Sequence, residues 1–337
     1  QLVDQIGAGF WGESSQTTYI TPGIELNRLR VPMSGHPRRS GCAGIVGALS
    51  PLPELIRLHI GDSLNITSEP LPGKPAQFDA RGRLLHAASI ACSLPEVFLN
   101  VQPGERILID DGRIGGVIRS VCKNKLVVEI TQARECGEKL LANKGINLPD
   151  SRLDLNGLTA QDIEHLEFVV KHADMVGLSF ARRPADILLL QKHLKRLKAE
   201  KLGIVLKIET RAAFENLPEL LLTLLRSSNV GVMIARGDLA VECGYERLAE
   251  LQEEILWLAE GAHLPVIWAT QVLEGLSKSG KPSRAEITDA AMGVRAECVM
   301  LNKGSHIIEA IQSLDDILHR MQSHQNKKIS LLRRLHW

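Results

Sequence analysis

The stretch Ile204-Val205-Leu206-Lys207-Ile208-Glu209 decides the fold. It reads as a strand, and because strand side chains alternate, the Lys207 ammonium and the Glu209 carboxylate leave one face while their apolar neighbours pack on the other. On its N-terminal side, residues 159–172 read as a helix opened by Thr159, with Ile163, Leu166, Val169 and Val170 at helical spacing, and 175–180 as the strand that follows. Further strands are expected at 231–235, 266–269 and 298–301, and further helices around 184–198, 212–225, 246–262 and 287–293. Helix alternating with short apolar strand is the pattern of βαβ units on a parallel sheet. The expected fold class is α/β, of the (β/α)8 TIM-barrel type but incomplete: about five βα units are present, since roughly 190 residues follow residue 149 and a closed barrel takes about 250.

Residues 1–149 have another rhythm. Short β-branched runs at 17–21, 55–67, 90–98, 106–109 and 126–130 are separated by turn signals such as Pro72-Gly73, Pro103-Gly104 and Asp111-Gly112, so this part reads as β-rich, barrel-like or sandwich-like. Two domains are therefore expected, a β-rich one over 1–149 and a partial barrel over 150–337, the latter ending in a basic, solvated tail at 323–334. Gly7-Ala8-Gly9-Phe10-Trp11-Gly12 matches the dinucleotide fingerprint G-x-G-x-x-G. Residues 13–26 show no helical stripe to receive a pyrophosphate, so it is set aside.

Lys plus Arg total 40 against 39 for Asp plus Glu, leaving no bulk field for nucleic acid or an anionic membrane; any anion must be held locally. Cys42, Cys92, Cys122, Cys136, Cys243 and Cys298 form no zinc-like spacing and read as reduced, mostly packed thiols. Neither a membrane span nor a signal peptide is expected, and a cytoplasmic location follows.

Three strand ends carry chemistry. Lys207 and Glu209 at the C-terminal end of their strand lie where barrel active sites form. The plain structural alternative is an internal salt bridge, which gains little over apolar packing once desolvation is counted. In Ile234-Ala235-Arg236-Gly237-Asp238 a strand runs into a tight turn with free amides near Gly237 that favour an anion, and Asp238 faces the neighbouring strand end; alternatively Asp238 is a helix cap. Glu209 and Asp238 offer hard oxygen ligands suited to magnesium, and Lys207 adds positive charge where a phosphoryl group would pass. Thr270, after 266–269, could bond a carboxylate or relay a proton, though a threonine there is more often a cap.

These strings, in this order, resemble the pyruvate kinase family: Leu206-Lys207-Ile208-Glu209-Thr210, the segment 234–242, Ala269-Thr270-Gln271-Val272-Leu273-Glu274, Pro282-Ser283-Arg284-Ala285-Glu286, and Asp110-Asp111-Gly112 followed by Lys144-Gly145-Ile146-Asn147-Leu148-Pro149. The resemblance implies a magnesium-dependent phosphotransferase of glycolysis moving phosphate from phosphoenolpyruvate to ADP. Manganese is an admissible substitute; potassium is a family cofactor whose site is not seen in this sequence. By resemblance, Lys207 stabilises the transferring phosphoryl group and the enolate, Glu209 and Asp238 hold the metal, Gly237, Asp238 and Thr270 contact phosphoenolpyruvate, and Thr270 or a water protonates the enolate. Lys144 would contact the nucleotide, the alternative being a solvated loop lysine. The β-rich part would be the family's mobile lid, with Asp110-Asp111-Gly112 facing the cleft. Phosphoenolpyruvate or pyruvate and ADP or ATP are the implied partners, and a homo-oligomer is compatible with them.

There are departures. Asn302-Lys303-Gly304-Ser305 stands where the family has Ser-Gly-Glu-Thr, and Leu206 replaces a small residue before the lysine, both expected to alter the pocket rim. No match to the family's first three barrel strands appears, nor to its C-terminal regulatory domain. With Gln1 as first residue, an N-terminally truncated bacterial offshoot with an enlarged lid is expected, without sugar-bisphosphate activation. Two other readings remain: a ligand-binding pseudoenzyme that has lost phosphoryl transfer, and a magnesium-dependent lyase or aldolase of the phosphoenolpyruvate/pyruvate barrel type, against which Lys207 and Lys144 speak.

Overall fold

The computed structural model describes residues 2–6, 9–12, 20–30, 38–47, 55–153, 155 and 157–322. The chain divides into two compact units, Gln1–Glu54 and Leu55–Trp337. In the first, β1 (Leu2–Ile6) pairs with β2 (Gly9–Gly12) and β3 (Glu25–Arg30) with β4 (Arg38–Ile45), both antiparallel. The Gly7–Gly12 fingerprint falls partly outside the described residues, and its described end is the strand β2.

The second unit opens with β5 (Ile56–Leu58), β6 (Ser63–Thr67), β7 (Gln77–Phe78), β8 (Leu84–His86) and β9 (Ala88–Ala91). It continues through β10 (Arg106–Ile109), β11 (Ile114–Cys122), β12 (Lys125–Gln132), β13 (Glu138–Leu140) and β14 (Ile146–Asn147). Six of these form one sheet in the order β14-β10-β11-β12-β6-β9, over a core that includes Leu64, Ile66, Ile107, Ile118, Val128 and Ile130. Two sequence expectations need correction. The run 55–67 is two strands split by a turn in which the Asp62 carboxylate accepts from the His59 N–H at 2.7 Å, and 90–98 is no strand: β9 stops at Ala91 and Pro95–Leu99 is a 3-10 helix begun by a proline, which brings no amide hydrogen to a ladder.

The connection out of this sheet is tied back to it. Arg106 grips the Asp150 carboxylate through Nε at 2.9 Å and Nη2 at 2.6 Å, and the Ser151 hydroxyl donates to Glu105 at 2.5 Å.

From residue 157 onward the alternation expected from the sequence is what forms. Helices α1 (Ala160–His172), α2 (Pro184–Arg196), α3 (Arg211–Glu215), α4 (Leu217–Leu224), α5 (Arg236–Cys243), α6 (Leu248–Gly261), α7 (Glu274–Ser279), α8 (Arg284–Met292) and α9 (Ile307–Gln322) are interleaved with strands. The strands are β15 (Met175–Leu178), β16 (Gly203–Ile208), β17 (Val230–Ala235), β18 (Val266–Val272) and β19 (Cys298–Leu301), all parallel and in that spatial order. The result is a curled half-barrel sheet; closure by eight strands is not seen among the described residues. Local chemistry sets the helix starts. Thr159 and Asp162 form a capping box on α1, Ser283 and Glu286 another on α8, and the buried Asp186 carboxylate accepts from the Arg182 and Arg183 amides ahead of α2 at 2.9 and 3.2 Å. The single helix expected over 212–225 is broken at Asn216, before Pro218, and α8 begins earlier than expected because Ser283 caps it.

One face of the sheet packs on the helices through Ile204, Leu206, Ile208, Val232, Ile234, Val266 and Trp268, all at most 3% exposed. Leu206 thus points into the helix-side core, opposite Lys207, so its bulk fills that core and does not reach a pocket rim as the sequence suggested. Packed thiols were also over-called: of the five cysteines whose side chains are described, Cys122, Cys136 and Cys298 are exposed. No helix among the described residues is long and apolar enough to cross a membrane.

In α4 the burial pattern separates neighbours, Leu220 being fully buried and Leu222 70% exposed. Leu220→Ala should cost about 2–5 kcal/mol in denaturant unfolding, while Leu222→Ala should stay within about 0.5 kcal/mol.

Candidate active site

The C-terminal ends of β15, β16, β17 and β18 bring together what the sequence scatters. Lys207, near the end of β16, points to the sheet face away from the helices, and its ammonium lies 2.6 Å from Glu209 Oε1 and 2.8 Å from the Ser179 hydroxyl. Glu209 is 2% exposed; its second oxygen, Oε2, accepts from the Phe180 N–H at 2.7 Å. The pair is therefore oriented from the neighbouring strand end by Ser179-Phe180, where Phe180 has left-handed backbone, φ +53°. Neither residue stood out in the sequence, although both end the stretch 175–180 read there as a strand; in the structure they directly follow β15, which pairs in register with Lys207's strand.

β17 runs directly into α5, whose first turn carries Gly237 and Asp238. The amide expected to be free there is not: the Gly237 N–H donates to the Thr270 hydroxyl oxygen at 2.8 Å. Thr270 thus acts as a cap for the start of α5 from the adjacent strand, and its hydroxyl hydrogen remains to be given elsewhere. Burial pushes the Asp238 carboxyl above its ordinary value, and the negative charges of Glu209 and Asp111 push it further; Lys207 and an Asn147 hydrogen bond oppose them. Asp238, Glu209, Lys207 and Asp111 therefore share one electrostatic neighbourhood.

Asn147, from β14, donates from Nδ2 to Glu242 Oε1 at 3.1 Å, one turn of α5 beyond Asp238. Burial raises the Glu242 carboxyl, and Asp238 adds to the shift. Neither Asn147 nor Glu242 was singled out beforehand, and only their spacing within longer motifs marked them.

Asp110, Asp111 and Gly112 turn through three consecutive positive φ angles, +55°, +55° and +77°. The Tyr245 hydroxyl reaches Asp111 O at 3.5 Å, so the turn faces the α5 side of the half-barrel. Lys144 is not a free loop lysine: its ammonium pairs with Asp110 Oδ1 at 2.8 Å. Lys144 is held within the β-rich part by this pair, and among the described residues no contact to Lys207 or Thr270 joins it to the main cluster. A cavity of about 240 Å³ lies beside Gly237 and Thr270, with Asp111, Tyr245 and Gln271 in its walls. A larger one of about 540 Å³ sits among Asn65, Lys74, Gln77 and His86, and none of the cluster residues lines it.

The family-like strings outside the cluster have structural work. Glu286 closes the α8 capping box and also accepts from the Gly275 amide, anchoring the start of α7. The Asn302–Ser305 turn is fastened to α7, with the Ser277 hydroxyl donating to Asn302 O at 3.0 Å and the Ser305 hydroxyl to Lys278 O at 3.2 Å.

The buried Glu209 carboxylate and the part-buried Asp238 carboxylate form a donor set that suits a hard divalent cation, which takes one or two carboxylates plus substrate oxygens. Among the described residues no group of three or more His, Cys, Asp or Glu could hold a metal alone, so substrate or water oxygens would have to complete the shell.

Comparison with known proteins gives a consistent family. A family model described as pyruvate kinase, barrel domain, matches residues 76–310. A pyruvate kinase of Agrobacterium vitis is 35% identical over 238 residues, 68% of this chain and 47% of that protein. Human pyruvate kinase PKLR is 32% identical over 264 residues, 76% of this chain and 43% of its own length. A Thermotoga maritima pyruvate kinase is 29% identical over 292 residues, 84% and 57% respectively. The chain spans about half the length of the curated relatives it matches.

A carboxyl whose folded-state pKa lies above its unfolded value favours the fold when protonated; that contribution is complete below the ordinary carboxyl range and is lost as pH rises through the raised value. Glu242→Gln, which keeps an oxygen for Asn147, should therefore raise the melting temperature relative to the parent above neutral pH, and the gain should vanish as pH falls below about 4.

Proposed function

The chain belongs to the pyruvate kinase family, and from that we propose that its Lys207–Glu209–Asp238–Thr270 cluster binds phosphoenolpyruvate and supports transfer of its phosphoryl group to ADP, the glycolytic reaction that yields pyruvate and ATP. The observation that carries this reading is the Lys207 ammonium held 2.6 Å from a nearly inaccessible carboxylate at a strand end, beside a second carboxylate, Asp238, whose proton affinity is raised by burial and then by the charge of the first. An ion pair of that kind is a poor structural device, because desolvation offsets most of its attraction. It is a useful chemical one: fixed positive charge in a water-poor site stabilises negative charge spread over a phosphoryl group.

Glu209 and Asp238 would hold magnesium, with manganese as a substitute. Bound there, the ion would supply Lewis-acid neutralisation of phosphoryl and carboxylate oxygens. Lys207 faces the phosphoryl group and the enolate oxygen that develops as it leaves. Gly237 and Asp238, at the start of α5, meet the substrate carboxylate. Thr270, whose hydroxyl oxygen already accepts from Gly237, has its hydrogen free to bond that carboxylate or to pass a proton towards the enolate, directly or through a water. Ser179 holds the ammonium from the other side and limits its rotamers.

The β-rich part up to residue 149 is read as the lid over this site and the part from 150 as the barrel, a division supported by their separate hydrophobic clusters. On the lid, Lys144 is a candidate for the nucleotide phosphates; its pairing with Asp110 would have to be exchanged for them.

Calorimetric titration of the chain with phosphoenolpyruvate should show uptake that depends on magnesium, and Glu209→Gln should weaken the magnesium-linked part by at least about tenfold with the circular dichroism spectrum unchanged. Binding with equal affinity in the presence and absence of the ion would remove the metal assignment. ATP formation from phosphoenolpyruvate and ADP, read by luminescence, separates a kinase from a relative that only binds.

A further inference from the structure

Thr270 and Gln271 both have left-handed backbone, with φ of +66° and +55°, and Leu273 follows at +47°. A β-branched residue seldom adopts that region, and such strain persists only where surrounding contacts over-determine it, which tends to be at functional sites. Here the contacts come from one side chain. Arg236, 7% exposed, donates from Nε to Ala269 O at 2.8 Å and from Nη2 to Thr270 O at 2.5 Å, while Nη1 meets the Asp289 carboxylate. Its guanidinium carbon also lies 4.7 Å from the centre of the Trp268 ring. The fork thus grips the two successive carbonyls at the point where β18 turns left-handed and is itself fixed from α8. A planar guanidinium can span these acceptors; an ammonium cannot.

We infer that Arg236 is a positioning residue: it holds 269–271 in the strained conformation and so keeps the Thr270 hydroxyl against the Gly237 amide. Only the consequence for turnover rests on the proposed function. Each of the three guanidinium nitrogens meets a protein acceptor, and the positioning role is exerted through Thr270. The plain alternative is that Arg236 is a general stabiliser of the β17–β18 region.

Amide hydrogen exchange separates the two without needing a ligand. Arg236→Met should speed exchange at Gly237 at least about tenfold, the loss of roughly one hydrogen bond, while β16 and β17 core amides such as Val232 keep their protection. Arg236→Lys should resemble Arg236→Met. Adding Gln271→Gly, which removes the conformational cost of positive φ at one strained position, should restore most of the Gly237 protection. Unchanged protection at Gly237, an even loss across β16–β18, or no recovery with the glycine would each overturn the inference. Phosphoenolpyruvate affinity in magnesium should follow the same order among the variants. If the parent chain does not bind phosphoenolpyruvate, the functional reading fails and the exchange result still decides the role of Arg236.

Discussion

A single ion pair, Lys207 with Glu209, sets the terms for everything around it. Placing a carboxylate at 2% exposure is costly unless each oxygen finds a partner, and the partners available are the Lys207 ammonium and the Phe180 amide. Both depend on Ser179 and Phe180 following β15 alongside the last residues of β16, which the parallel register from Met175↔Gly203 to Leu178↔Leu206 sets up. The helix-side core of leucines, isoleucines and Trp268 therefore does more than stabilise the sheet. It fixes the strand ends against which two charges can be held in place.

Charge accumulates beyond what that pair neutralises. Asp238, Glu242 and Asp111 gather on the same side of α5, and burial, with the neighbouring negative charges added to it, raises the Asp238 and Glu242 carboxyls above their ordinary values. A cluster that opposes its own ionisation is a weakness in a fold and an asset in a site that collects cations and phosphates.

Much of this was legible in the sequence. The alternation from residue 157 onward marked the five parallel strands, because strand and helix periods differ and the cap at Thr159 is explicit, whereas the Ser283 cap that opens α8 went unread. Lys207 and Glu209 were readable as one-face partners from their spacing alone. The β-rich part was less so: Pro95 turned a presumed strand into a 3-10 helix, and Asp62 split another. Ser179, Asn147 and Arg236 were invisible because their roles arise from long-range contacts 28, 95 and 33 residues away in sequence. Leu206 misled in the opposite sense, since the residue next to Lys207 in a strand lies on the other side of the sheet.

The clamp between Arg106 and Asp150, with Ser151 fastened to Glu105, bears on mechanics. A connection pinned for its first two residues moves as an extension of the sheet it leaves. The tether reaches further along the chain, since Leu153 and Leu155 pack against the β-rich core while Leu155 O accepts from the Arg182 side chain at 3.2 Å, so one short stretch is fastened to both portions.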